Sequence, residues 1–389
     1  MRQRFLWLLN GGVAVVTLIL LFAHFARPPQ SQNLPGSAAP MAQPITALAF
    51  LTYPGEAPMG GQDVNASLNT APVTLAAYAT DQNQQLNTTA PQTLGSQPAR
   101  AMCEADQLTA SPNGRYLLIQ YNCEAALFAI LQNLATGAET NLARGCFLDW
   151  SPDGDWLLFR QTDNDEIWLI PAATGQGQPL PHLPSGTYNA AFHPSGQQVI
   201  TAASRGLGFG SELSVYDLAG QSYTRWQTFP DQIAAFPRWS PDGARLAYIL
   251  MPDSNRPFTV GELWLADPVT GAPTQLLDAI DAGHGYPPVW SPDGRSLVYV
   301  RRENPDSIRA DHLAPALRSN LVLAEAATGQ TTPLTSFPDS LVYDAVWSPD
   351  GRELAFTADD AIWLVALGQP PTQLTQSITA RHPAWLVEN

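Results

Sequence analysis

Ser-Pro-Asp-Gly, or a near copy of it, recurs six times in this chain. The copies are Ser111-Pro112-Asn113-Gly114, Ser151-Pro152-Asp153-Gly154, His193-Pro194-Ser195-Gly196, Ser240-Pro241-Asp242-Gly243, Ser291-Pro292-Asp293-Gly294 and Ser348-Pro349-Asp350-Gly351. Their starts lie 40, 42, 47, 51 and 57 residues apart. Proline presets φ for the second position of a tight turn, Asp or Asn suits the third, and glycine takes the positive φ that closes it. The serine hydroxyl caps the turn. A large apolar residue precedes five of the copies (Trp150, Phe192, Trp239, Trp290, Trp347), and Ala110 precedes the other. Short apolar runs follow, such as Trp156-Leu157-Leu158-Phe159 and Leu246-Ala247-Tyr248-Ile249. Each copy therefore reads as a β-hairpin, and a hairpin returning at this interval is the mark of a repeat architecture.

A third strand follows each hairpin, as in Ile167-Trp168-Leu169-Ile170, Leu263-Trp264-Leu265-Ala266 and Ile362-Trp363-Leu364-Val365. A glycine-centred turn and a weaker fourth strand complete the unit, for example Gly329 and then Thr332-Pro333-Leu334-Thr335. Four strands at this interval match one blade of a β-propeller, so the fold class is all-β. Beyond the sixth unit, His382-Pro383-Ala384-Trp385-Leu386-Val387 copies a first strand and then stops. An unpaired strand would leave an open edge. Partners are available at the other end of the chain. Residues 45–51 read as a second strand, 73–78 as a third, and 86–94 as a polar fourth. A split seventh blade is expected from this, with a six-bladed ring as the alternative.

The pattern resembles the TolB-like and WD40-like propeller repeats, through the Trp-Ser-Pro-Asp-Gly turn followed by an apolar strand and an Ile-Trp-Leu strand. The resemblance covers roughly residues 105 to 389. It implies a propeller and, for the family's namesake, an extracytoplasmic interaction role.

Ahead of the repeats, residues 5–25 form an apolar run long enough to cross a bilayer as a helix. Arg2 and Arg4 precede it and Arg27 follows, a bias that places the amino terminus inside and the propeller outside. The expected organisation is a cytoplasmic tip and anchor over 1–26, a flexible Pro/Gln/Ser/Ala linker over 27–44, and the propeller over 45–389. Secretion after signal cleavage is the alternative. The net charge is −15, and all 19 basic residues are arginine. No lysine means no Schiff-base chemistry, and an acidic chain without basic runs is unsuited to nucleic acid. Three cysteines suit an oxidising compartment with one bridge. In a regular ladder around the first turn, residue 103 faces residue 122. A one-residue bulge would bring Cys123 opposite Cys103, which makes that pair the disulfide candidate. Cys146 competes for the bond, and three reduced thiols are the other reading.

Residues able to do chemistry are sparse. There is no Gly-x-Ser-x-Gly elbow, and the histidines lack metal-ligand spacing, so no catalytic residue, metal or cofactor is expected. Gly206-Leu207-Gly208-Phe209-Gly210-Ser211 lies between strands and reads as a flexible connector, and Asp163-Asn164-Asp165-Glu166 as a solvated hairpin tip. The motif turns are short and repetitive, which directs attention to the opposite face. Its longest loop, 301–320, offers Arg301, Arg302, Arg309 and His312. Residues entering the first strands from that face are Tyr188, Asn189, His284 and Tyr286, then Tyr343, Asp344, Arg381 and His382. These are the candidate binding residues. The expected function is a non-catalytic, membrane-tethered module that binds a protein or peptide in the cell envelope. A small-molecule or glycan sensor is the alternative, and a propeller hydrolase or lyase the less favoured third.

Overall fold

The computed structural model describes residues 45–53, 73–80, 86–88, 91–97, 103–123, 126–256, 259–269, 271, 273–282, 285–313 and 316–388. All of them lie in the unit Pro35–Asn389. Among these residues there is no α-helix, so none is long and apolar enough to cross a membrane. The run 5–25, the linker 27–44 and His284 lie outside the described residues.

The motif turn forms as its chemistry requires. In the five copies that begin with serine, the Ser Oγ donates to the Asp or Asn Oδ1 at 2.5–2.8 Å. The same oxygen accepts the backbone N–H of the residue five positions on, at 2.9–3.0 Å. In the third copy His193 Nδ1 and Ser195 Oγ, 2.8 Å apart, replace the Ser–Asp pair. Every motif glycine donates its N–H to the carbonyl of the first turn residue at 2.8–2.9 Å. Gly154 shows why no other residue serves. Its φ is +70°, and a Cβ there would lie 2.7 Å from Asn113 Cγ and 2.8 Å from Asn113 N, in the preceding turn. Adjacent turns are thus nested. The Asn113 amide reinforces this by donating to Asp153 O at 2.8 Å.

The strands pair antiparallel in chain order. Thr187–Phe192, Gln198–Ala203, Ser211–Asp217 and Ser222–Phe229 make one four-stranded sheet, and Val342–Trp347, Glu353–Ala358, Ala361–Ala366 and Thr372–Gln373 another. Two larger sheets each run two repeats together. In the first, the long strand Glu139–Trp150 closes one repeat and opens the next. In the second, the single pair Ile280↔Arg301 makes the join. Thr379–Val387 pairs with Ile45–Tyr53, which continues to Val73–Ala79 and then Gln92–Gln97. The two ends of the chain therefore share one sheet, with its last strand nearer the carboxyl side than the sequence suggests.

Apolar residues alternate between two buried faces rather than between core and water. In Ile45–Tyr53, Leu48 and Phe50 pack with Ala355, Ile362 and Trp385. Ala49 and Leu51, on the other face, pack with Leu117, Ile119 and Ile130. A strand covered on both faces needs a near-continuous apolar run, which these segments have. Each large side chain among them, Leu, Ile or Phe, contributes roughly 1.5–3 kcal/mol on burial.

Candidate functional site

The strand that opens a repeat carries a β-bulge in six cases. Register shifts fall between Ala105 and Gln107, Phe147 and Asp149, Thr187 and Asn189, Ala235 and Arg238, and Tyr343 and Val346. In the sixth, a shift between Ala49 and Leu51 leaves His382 and Pro383 as the bulge. Bulges re-aim side chains, and they collect next to functional sites. Three of them hold a non-glycine residue at positive φ: Phe236 at 50°, Asp344 at 52° and His382 at 58°. Such backbone costs of order 1 kcal/mol or more per residue and persists only where the surroundings enforce it.

Two of these strained residues meet. His382, 7% exposed, has its Nδ1 2.5 Å from Asp344 Oδ2. A carboxylate can only accept, so Nδ1 is the nitrogen that carries the proton in this contact. The Tyr343 ring stands edge-on to the imidazole at 6.1 Å, and Tyr286 lies 5.3 Å beyond it. Burial, and after it the Asp344 charge, pushes the Tyr286 phenol well above its ordinary range. Beside this group Arg381 donates from Nε to Asp360 Oδ1 at 2.7 Å, its guanidinium 5.0 Å over the Tyr53 ring. The structure therefore unites Tyr286, Tyr343, Asp344, Arg381 and His382, residues drawn from three separate repeats. Sequence reasoning missed Tyr53 and Asp360. The one available signal was Asp359-Asp360 at a hairpin tip, too common a pattern to single out.

The remaining candidates are placed elsewhere. Tyr188 donates its hydroxyl to Ala234 O, and burial raises its phenol far above the usual range. Asn189 keeps a buried Oδ1 with no partner among the described residues. In the long loop Arg301 pairs with Glu303 at 2.7 Å, while Arg309 and His312 are exposed. Arg302 is turned inward. Its side chain is 0% exposed, and it donates to Asp311 Oδ1 at 2.8 Å and to the carbonyls of Asn304 and Ser307 at 3.2 and 3.0 Å. It holds the loop together from inside and is not available to a partner. The glycine-rich segment is not a loose connector either: Gly208 and Gly210 both donate to Asp253 Oδ2 at 2.8 Å. Cys103 and Cys123 face one another in the backbone register, across the bulge expected there. Their side chains lie outside the described residues.

The motif face is not plain. A cavity of about 1160 Å³ is walled by residues of all six turns, with Asp149 and with Trp150, Trp290 and Trp347, three of the tryptophans that precede turns. Burial pushes the Asp149 carboxyl above its ordinary range, against the opposing pull of Arg238. Among the described residues no three His, Cys, Asp or Glu side chains converge as a metal site.

No family model matches the chain. It is 29% identical over 175 residues to the uncharacterized peptidase YuxL of Bacillus subtilis, covering 39% of this chain and 25% of that one. It is 24% identical over 136 residues to dipeptidyl-peptidase 5 of Porphyromonas gingivalis, covering 33% and 19%. The matched region is thus a quarter or less of either relative. Among solved structures, TolB from Acinetobacter baumannii superposes with a TM-score of 0.50 at 20% identity, covering 88% of this chain and 67% of that one. The fold is a TolB-like β-propeller. The relatives overturn the expectation of a non-catalytic interaction module, since both are named peptidases and point to an enzyme. The physical reason for the error is that repeats report the scaffold, and a reacting group that occurs once leaves no periodic signal.

Proposed function

We propose that this protein is a propeller hydrolase acting on peptides. The observation that carries the proposal is the match to two peptidase-named relatives. The Tyr286–Tyr343–His382–Asp344 cluster is the site that suits it best. Two tyrosines give flat, amphipathic surface for a peptide. Beside them an imidazole fixed by a carboxylate is suited to accept a proton from an attacking water. Asp344 sets the tautomer and orientation of His382 and supports the imidazolium formed as that proton arrives.

The full chain incubated with a defined peptide mixture and followed by mass spectrometry tests this. Saturable cleavage is expected. His382→Gln should lower turnover by about 100-fold or more, the usual worth of a general base, and Tyr343→Ala should chiefly raise KM. Absence of cleavage of any peptide, or full activity in His382→Gln, overturns the proposal.

We propose further that the propeller has seven blades, the seventh being the sheet shared by the two chain ends. Residues 5–25 would tether it to a membrane with the propeller on the extracytoplasmic side, and Cys103 and Cys123 would form a disulfide. The shared sheet, the charge bias around the apolar run, and the Cys103↔Cys123 register support these points in turn.

A further inference from the structure

The segment 204–210 joins Gln198–Ala203 to Ser211–Asp217, at the end of the strands where Asp344 and His382 also lie. It holds out Leu207 and Phe209, 62% and 60% exposed. The backbone that does so is braced. Gly206, Gly208 and Gly210 take φ of +116°, +80° and +63°, in the region that favours glycine. Ser204 Oγ donates to Gly210 O at 2.6 Å and accepts the Gly206 N–H at 3.1 Å. With the two N–H bonds to Asp253, the loop is tied at four points, and little ordering is left for a partner to impose.

Phe209 forms one wall of a cleft of about 380 Å³, a volume in the small-ligand range. Tyr223 and Phe229 supply further aromatic surface, and the charged lining is Arg205, Arg225 and Glu212. Two guanidinium groups to one carboxylate reverses the sign of a chain whose net charge is −15. Arg225 Nε meets Glu212 Oε2 at 2.7 Å, so those two charges offset each other. Arg205 has no carboxylate partner and donates no hydrogen bond among the described residues. Its Cζ stands over the Phe209 ring at 5.3 Å. Such a contact uses the flat face of the guanidinium and leaves its N–H edge open to a planar, two-oxygen acceptor. Asp253 does not line the cleft, and its Oδ2 is already taken by the loop.

These features select the occupant. A cationic segment would be repelled by the unpaired guanidinium, and an uncharged apolar one would cover that charge without offering it an acceptor. A carboxylate answers the charge, and an aromatic ring beside it matches the rings of the wall. We propose that this cleft binds a peptide segment in which an acidic side chain neighbours an aromatic one, the carboxylate on Arg205 and the ring against Phe209 and Tyr223. The proposal rests on the peptide-directed reading above and adds a substrate class to it.

Calorimetric titration of the full chain tests it. The probe is a hexapeptide, acetylated and amidated at its ends, with a glutamate on each side of a phenylalanine; its counterpart has glutamine for glutamate. The glutamate peptide should bind about 10-fold more tightly, on the order of one bidentate charge-assisted pair. Arg205→Gln should erase that preference, and Phe209→Ala should weaken both peptides. Both positions are exposed, so neither change disturbs the core. Arg352→Gln removes a charge whose side chain is 82% exposed at a motif turn, and it should leave the preference intact. Equal affinity for the glutamine peptide, or an equal loss in Arg352→Gln, overturns the proposal. Sedimentation with phosphatidylglycerol vesicles that needs Arg205 and Phe209, without peptide binding, assigns the loop to a membrane surface and overturns it too. Cleavage measured on the same peptides separates the two readings. Arg205-dependent binding without cleavage keeps this inference and removes the hydrolase. Cleavage indifferent to glutamate and to Arg205→Gln does the reverse.

Discussion

Gly154 and Gly137 share a backbone conformation and differ in their surroundings, so together they separate two reasons for a glycine. Gly137 has φ +71° and nothing within 4 Å of where a Cβ would stand. Alanine there should cost only the left-handed backbone term, about 1 kcal/mol. Gly154 has φ +70° and backbone of the neighbouring turn inside contact distance. Gly154→Ala must also push two nested turns apart, and its destabilisation should be larger by a further 1–3 kcal/mol, on the order of an overpacked site. Urea unfolding of both variants checks this, and equal midpoint shifts would mean that the nesting contributes nothing. The same contrast bears on His382 and Asp344. They accept unfavourable φ without being glycine, and backbone strain of that kind gathers where a side chain must be aimed.

At the scale of elements, the 301–320 loop is where side-chain direction decides function. Arg302 and Asp311 form a buried pair, and Asp311 also receives Arg256 Nη1 at 3.0 Å. Removing one member of a buried pair typically costs 3–5 kcal/mol. Arg302→Ala should accordingly open this loop to limited proteolysis, while Arg309→Ala, at an exposed position, should leave the digestion pattern unchanged. Thiol counting gives a further test. Denatured without reductant, the chain should show one reactive thiol, Cys146, and after reduction three; three before reduction removes the Cys103–Cys123 bridge. Turns, hairpins and strand order were legible in the sequence because each depends on neighbours within a few residues. The bulge that sets Cys103 opposite Cys123 was legible for the same reason. Arg302 was not, since nothing local says that Asp311 will receive it. The cavity was not either, because it is built from residues of every repeat and no single repeat contains it.

For the whole molecule, burial between sheets puts phenols where ionisation is opposed. Tyr216 and Tyr248, 0% and 1% exposed, have their pKa values pushed up to about 12 by burial. Tyr188 and Tyr299 are pushed higher still by the same cause. The hydroxyls of Tyr216 and Tyr299 have no hydrogen-bond partner among the described residues, so the loss of water around a phenolate is not made good by a donor, and at Tyr299 the Arg301 charge offsets it only in part. In the unfolded chain each of these groups titrates near pH 10. A folded pKa above the unfolded value means that the stabilisation is complete below about pH 10 and is lost as pH rises toward 12. Within that window the unfolded chain releases protons that the folded chain retains, and each tyrosine lowers stability by about 1.4 kcal/mol per pH unit. These four residues stand in three successive repeats, and neighbouring repeats share core clusters, so loss of one interface exposes the next. Their effects should add into one cooperative alkaline transition. Stability from urea unfolding should be flat in their contribution up to about pH 9.5 and fall steeply above pH 10. Tyrosinate absorbance at these four positions should appear together with loss of β-sheet circular dichroism. If tyrosinate forms at pH 10 while the sheet signal stays intact, the phenols are reached by solvent and the tight inter-sheet packing described here is wrong. Phenylalanine at Tyr216 and Tyr299 should move the transition to higher pH at little cost at neutral pH, since each removes a hydroxyl that has no partner in the fold.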